Sequence, residues 1–153
     1  MRLWSDDFVD GGRLGLTNAL NGWGHEGDNR SPHLAWGDVP EGTRSFALTL
    51  FDFAPSLEIG WWHWVAFNMP ASTRSIAAGA KLPAGTIEAR SDLGTFGYSG
   101  PGPGPGNTNS YRFTLYALSV ERLELDENAS GTMVSYMAGT NMLAKAEIVG
   151  LFE

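Results

Sequence analysis

Short apolar runs separated by Gly, Pro, Asn and Asp set the pattern of this chain. Phe46 to Asp52 (FALTLFD) is almost continuously apolar, too short for a buried helix, and bounded by Pro40-Glu41-Gly42-Thr43 and by Pro55, so it predicts a central strand. Trp62 to Asn68 is aromatic and branched, stops at Met69-Pro70, and carries one titratable ring, His63. Tyr111 to Leu118 alternates. It puts Tyr111, Phe113, Leu115 and Ala117 on one face and Arg112, Thr114, Tyr116 and Leu118 on the other. Glu147 to Phe152 predicts a strand closing a sheet at the C-terminus. One segment, Ser130 to Lys145, has helical spacing through Met133, Val134, Met137, Ala138 and Met142, and follows the acidic Asp126-Glu127 suited to a helix N-terminus. Gly131 and Gly139 weaken that helix by about 1 kcal/mol each relative to Ala. A shorter helical turn falls near Leu14 to Leu20. Many strands, long turns and few helices predict a mainly β fold, a β-sandwich with peripheral short helices and one helix in the C-terminal region. No repeat or linker divides the chain, so residues 1–153 are expected to form a single domain.

Composition changes this picture in three ways. Glycine makes up 20 of 153 residues, about twice the typical share, with 8 Pro and 6 Trp. Disorder is one reading of such a bias, but a 42% hydrophobic fraction can bury enough surface to offset the ordering entropy. The absence of Cys excludes disulfides, thiolate metal sites and Cys nucleophiles. A net charge of −7 argues against nucleic-acid partners and against adsorption to anionic membranes. No run of about 20 apolar residues exists, and Asp6-Asp7 interrupts the N-terminal stretch where a signal peptide needs an apolar core. The expectation is a cytoplasmic protein without an integral membrane segment.

Two segments stand out as candidate chemistry. Gly100 to Gly106 (GPGPGPG) has the glycine content of a phosphate loop, yet its three prolines remove three N–H donors and no Gly-Lys-Ser/Thr ending follows. It reads either as a stiff surface loop or as the wall of a pocket. The cluster Trp61-Trp62-His63-Trp64 alternates on a strand, so Trp61 and His63 are expected on one face and Trp62 and Trp64 on the other. Asp52 ends the preceding strand. Were the two strands neighbours, carboxylate and imidazole would meet and could hold a ligand or act as an acid–base pair. His25 and His33 lack metal-ligand spacing, and Gly97-Tyr98-Ser99-Gly100-Pro101 fails as a nucleophile elbow. Neither a metal nor a cofactor is expected.

Read in order, four segments resemble the phosphatidylethanolamine-binding protein family, in its bacterial Raf kinase inhibitor-like branch. They are Gly27-Asp28-Asn29-Arg30-Ser31-Pro32-His33-Leu34-Ala35-Trp36, Pro40 to Leu48, Gly60 to Trp64, and Tyr111 to Leu118. The resemblance covers nearly the whole chain and implies an antiparallel β-sandwich with a small anion site that takes phosphate-like groups and phospholipid head groups. Carried over by motif, that site comprises Asp52, His63 with Trp61 beside it, the Gly-Pro loop with Gly102 and Pro103, Asn109 and Tyr111. It also implies a homodimer.

Two departures alter the expected site. Asp52-Phe53-Ala54-Pro55 replaces the family's D-P-D-A-P, so the second Asp is lost; Asn109-Ser110-Tyr111 replaces H-R-Y, so an imidazole becomes an uncharged amide. Losing one charge-assisted bond weakens anion binding by about 1.5–3 kcal/mol, roughly ten- to a hundred-fold. The expected function is binding of a small anionic or head-group-like ligand, with a regulatory role. The alternative is a cofactor-free enzyme that cyclises, isomerises or dehydrates a small organic substrate, with His63 as acid/base oriented by Asp52.

Overall fold

A computed structural model describes residues 1–153. In chain order the elements are β1 (Arg2–Trp4), a 3₁₀ turn (Leu16–Asn18), β2 (Asn21–Gly22), β3 (His25–Glu26), β4 (Leu34–Gly37), β5 (Ser45–Ala54), β6 (Ile59–Pro70), β7 (Ser75–Ile76), β8 (Ile87–Glu88), β9 (Asn109–Leu118), α1 (Gly131–Asn141) and β10 (Met142–Phe152). All strand pairings between them are antiparallel. The main sheet has the order β10-β9-β5-β6-β8, the second sheet β1-β4-β7, and β2-β3 forms a separate hairpin.

The alternation read in Tyr111 to Leu118 assigns the two faces of the main sheet. Phe46, Leu48 and Leu50 of β5 join Phe113, Leu115 and Ala117 of β9 in a core that also holds Leu34 and Trp36 of the second sheet. On the other face Ala47, Val65, Phe67, Tyr116 and Leu118 pack with Val134 and Ala138 of α1. Fully burying each such side chain contributes roughly 1.5–3 kcal/mol before conformational entropy is set against it. The mainly β, antiparallel expectation holds, and the strands run beyond the predicted apolar runs because pairing recruits their flanks.

The helix begins where expected, although without help from acidic residues, and ends earlier than expected. It starts at Gly131, where Ser130 as N-cap accepts a 3.0 Å bond from the Met133 amide, and no acidic residue occupies its first turn. A Cβ at Gly131 would run into the Trp62 indole, so glycine here lets the helix approach the sheet. It stops at Asn141. Met142 is extended and pairs with Leu118, and the segment expected as the last helical turn becomes the start of β10. Edge pairing with β9 supplies those residues with backbone partners that a weakly apolar helix end could not match.

β6 also departs from simple alternation. Its register against β5 shifts twice, between Phe46/Leu48 and between Leu50/Phe51, so two residues of β6 stand unmatched. At the second shift Leu50 pairs with Trp64 and Phe51 with Trp62, leaving His63 as the bulged residue. Trp62 and Trp64 therefore lie on opposite faces, the first against the helix-side core and the second in the core shared with β4. The bulge adds one residue to one side and changes the face of every side chain from Trp64 to Phe67, and the shift at Phe46/Leu48 restores the original alternation by Met69.

Candidate functional site

β5, β6 and β9 run side by side, and their apolar row facing the second sheet continues Phe46, Leu48, Leu50 and then Asp52. Asp52 pairs with Trp61 on β6 and with Tyr111 on β9, so the predicted neighbours do meet. They form the inner end of a cavity of about 330 Å³, within the range that holds a small organic ligand. Asp52, Trp61, His63, Gly102, Pro103 and Asn109 line it. Tyr111 does not. It is fully buried behind them, its ring edge-on to His63 at 5.5 Å.

Hydrogen bonds fix the protons of the pair. His63 Nδ1 lies 2.9 Å from the Ser99 carbonyl and 3.1 Å from that of Gly100, and carbonyls only accept, so Nδ1 carries a hydrogen. Nε2 then faces Asp52 Oδ2 at 3.3 Å, a contact that is attractive only with one proton between ring and carboxylate. Asn109 Nδ2 donates to the same oxygen at 3.4 Å. Asp52 Oδ1 is buried and has no partner, and the Tyr111 hydroxyl likewise makes no well-formed hydrogen bond. Burial pushes the Tyr111 hydroxyl far above the ordinary tyrosine range, and the neighbouring Asp52 charge pushes it further. Burial does the same to Tyr98.

The Gly-Pro loop is a wall held from behind. Leu20 donates its amide to the Pro101 carbonyl at 2.8 Å, and His25 Nε2 bonds the Pro103 carbonyl at 2.9 Å. His25 therefore ties the β2-β3 hairpin to the loop. Gly100 serves close approach: a Cβ there would overlap the Asn18 carbonyl oxygen. Asn29, with φ of 50°, accepts from the Gly100 amide at 2.7 Å and donates to the Tyr98 carbonyl at 3.1 Å. That clamp sets the two carbonyls that orient His63, and it gives the Gly27 to Trp36 motif a physical task. A further prop lies behind β6, where Asp92 Oδ2 accepts from the Trp62 amide at 2.7 Å.

Several lining residues were not legible in the sequence. Leu20, Leu57, Leu93 and Asn107 come from loops, and Trp23 from the hairpin tip, where Trp23 and Gly24 both adopt positive φ, 52° and 85°. A two-residue turn flanked by Gly22 could have suggested a hairpin, but not what its tip would reach. Trp23, Leu57 and Trp61 are 72%, 64% and 40% exposed, so the cavity has a polar inner end and an apolar, aromatic mouth.

The profile of the phosphatidylethanolamine-binding protein family matches residues 4–153. The chain belongs to this family. The family relative YbhB of Escherichia coli is 45% identical over 157 aligned positions, covering 99% of each chain. The crystal structure of E. coli YbcL, described as a new member of the mammalian family, superposes with a TM-score of 0.93 at 39% identity over 99% of this chain and 97% of that one. A family homologue from Chlamydia trachomatis gives a TM-score of 0.85 at 26% identity. In this family member no helix is long and apolar enough to cross a membrane, and no cluster of three or more His, Asp or Glu forms a metal-holding group.

Proposed function

We propose that this protein binds a small organic molecule in the cavity between Asp52, His63 and the Gly-Pro loop. The observation that carries the reading is the pairing of a buried polar inner end with an exposed apolar mouth in one ligand-sized space. A polar group of the ligand meets Asp52 and Asn109, and its apolar part leans on Trp23, Leu57 and Trp61, which replaces water at otherwise exposed rings. Family membership supports ligand binding as the general role.

Neither of two finer readings gains support from the geometry. The acid–base alternative gains no support, because both nitrogens of His63 are engaged, Nδ1 with two carbonyls and Nε2 with Asp52, leaving neither facing a substrate. An anionic ligand finds one ring able to carry positive charge, already neutralised by Asp52, and no Lys or Arg in the lining. Mapping amide and indole NMR shifts while screening small amphipathic molecules tests the binding reading. Ligands are expected to move Gly102, Gly104, Asn107, Asn109 and the Trp61 indole together. Shifts confined to residues away from this cavity would reject it.

A further inference from the structure

We infer that Thr95 is a positioning residue for the cavity, tying the loop that carries Leu93 to the residue that orients His63. The inference rests on the proposed binding reading for the purpose the loop serves, and goes beyond it by naming what holds two walls of the site in register. Arg90 and Phe96 pair as an antiparallel bridge, with the Arg90 guanidinium 4.7 Å over the Phe96 ring, and so close a short loop. Inside it the Ser91 amide donates to the Thr95 carbonyl at 2.8 Å, and Gly94, with φ of 85°, turns the chain back. Leu93 lies at that turn and lines the cavity.

Two fastenings hold the loop to β6, one on each side of Leu93. On one side Asp92 grips Trp62 twice: its amide donates to the Trp62 carbonyl at 2.9 Å, and its carboxylate accepts from the Trp62 amide at 2.7 Å. On the other side hydroxyls run in a chain, with Ser91 Oγ 3.2 Å from Thr95 Oγ1, and Thr95 Oγ1 2.6 Å from Ser99 Oγ. Ser91 and Ser99 are 4% and 3% exposed, so their hydroxyls need partners within the fold, and Thr95 serves both. Ser91 Oγ also accepts from the Leu93 amide at 3.2 Å, which brings the cavity residue itself into the chain.

Ser99 in turn brackets His63. Its amide donates to the His63 carbonyl at 3.0 Å, and its own carbonyl accepts from His63 Nδ1 at 2.9 Å. Asn29 fixes Tyr98 and Gly100 on either side of Ser99, but the Ser99 hydroxyl bonds Thr95 alone. Valine would fill the place of Thr95 with nearly the same shape and break the chain toward both serines, because only the hydroxyl is lost.

NMR on the unliganded full chain tests this, following the His63 Nδ1 proton, the Leu93 methyls and, as a reference for overall stability, the buried Leu115 amide. Thr95→Val is expected to speed exchange of the ring proton about tenfold relative to Leu115 and to move the Leu93 methyls. Thr95→Ser keeps the hydroxyl and should stay within about twofold of the unaltered chain. Ser99→Ala cuts the chain from its other end and should repeat the Thr95→Val signature, so the test does not hang on one variant folding. An unchanged ring proton in folded Thr95→Val or Ser99→Ala would overturn the inference. So would a Thr95→Ser chain that behaves like Thr95→Val, or a ring proton and Leu115 amide that accelerate together, which would mark a general loss of stability. A small-molecule screen without hits would overturn the binding reading, while these signals, read without ligand, still decide the positioning.

Discussion

The two ends of the same three strands are built for opposite purposes. At one end β5, β6 and β9 place Phe46, Met69 and Ala117 in register, all fully buried, with Phe46 edge-on to Trp36 at 5.5 Å. At the other end the same row supplies Asp52, Trp61 and Tyr111, equally regular in backbone pairing but with two buried polar atoms left unmatched. Pairing of the backbone is thus indifferent to the side chains it carries. The apolar end contributes stability, and the polar end holds unsatisfied groups that the rest of the sheet makes tolerable.

Breaking the apolar end gives the largest effect. Phe46→Ala removes a fully buried ring between the two sheets and is expected to cost about 3–5 kcal/mol in urea unfolding. The cavity at the far end should survive in the folded fraction, with the Trp61 and Asn109 NMR signals unmoved. Loss of those signals at temperatures where the variant remains folded would show that the two ends are coupled.

Alkaline pH strains the polar end next. Tyr98 and Tyr111 ionise in the unfolded chain near pH 10, whereas burial holds both neutral in the fold well above that. A pKa raised on folding stabilises fully below the unfolded value and is lost as pH climbs through the window above it. Each tyrosine therefore removes about 1.4 kcal/mol per pH unit beyond pH 10. Stability followed by urea unfolding should be flat in these groups below pH 10 and fall steeply above; a flat profile to pH 11.5 would contradict the assignment.

How far these ends were legible in sequence follows the same division. The alternation of Tyr111 to Leu118 gave both faces of β9, because nothing interrupts its pairing with β5 and the one irregularity against β10 lies in β10 itself. In β6 the same rule failed at Trp64, since a bulge at His63 is a property of the pairing with β5 and leaves no local mark. Asp52, His63 and Asn109 were found through their motifs. Trp23, Leu57 and Leu93 were not, because their loops carry no periodicity and reach the cavity only through tertiary contacts. Helix α1 was recognised by spacing, but its end was set by the competition with β10 pairing.

Asn29 connects motif to site and allows a sharper test. Asn29→Ala loses two hydrogen bonds to the loop and places alanine at φ of 50°, for an expected cost of about 2–3 kcal/mol. Asn29→Gly keeps that backbone at little strain, so its expected cost of about 1–2 kcal/mol isolates the bonds. In both variants the His63 Nδ1 proton should exchange faster, because the Ser99 and Gly100 carbonyls are no longer held. Unchanged exchange in Asn29→Gly would mean that the carbonyls are positioned by other contacts, such as the Leu20–Pro101 bond.

The smallest effect carries the clearest sign. Tyr111→Phe deletes a fully buried hydroxyl that has no well-formed partner while keeping the ring that packs edge-on to His63. In an ordinary core, removing a hydrogen-bonded tyrosine hydroxyl costs about 1 kcal/mol; here the desolvated group is already unpaired, so its removal should leave stability unchanged or raise it by up to about 1 kcal/mol. The same change deletes one of the two groups responsible for alkaline destabilisation and should halve the slope above pH 10. At the apolar end the equivalent trimming only destabilises. A stabilising deletion beside Asp52 would therefore identify this end of the sheet as the place where the fold gives up stability to keep polar groups ready for a ligand, and a loss of more than about 1 kcal/mol would show instead that the hydroxyl is bonded in solution.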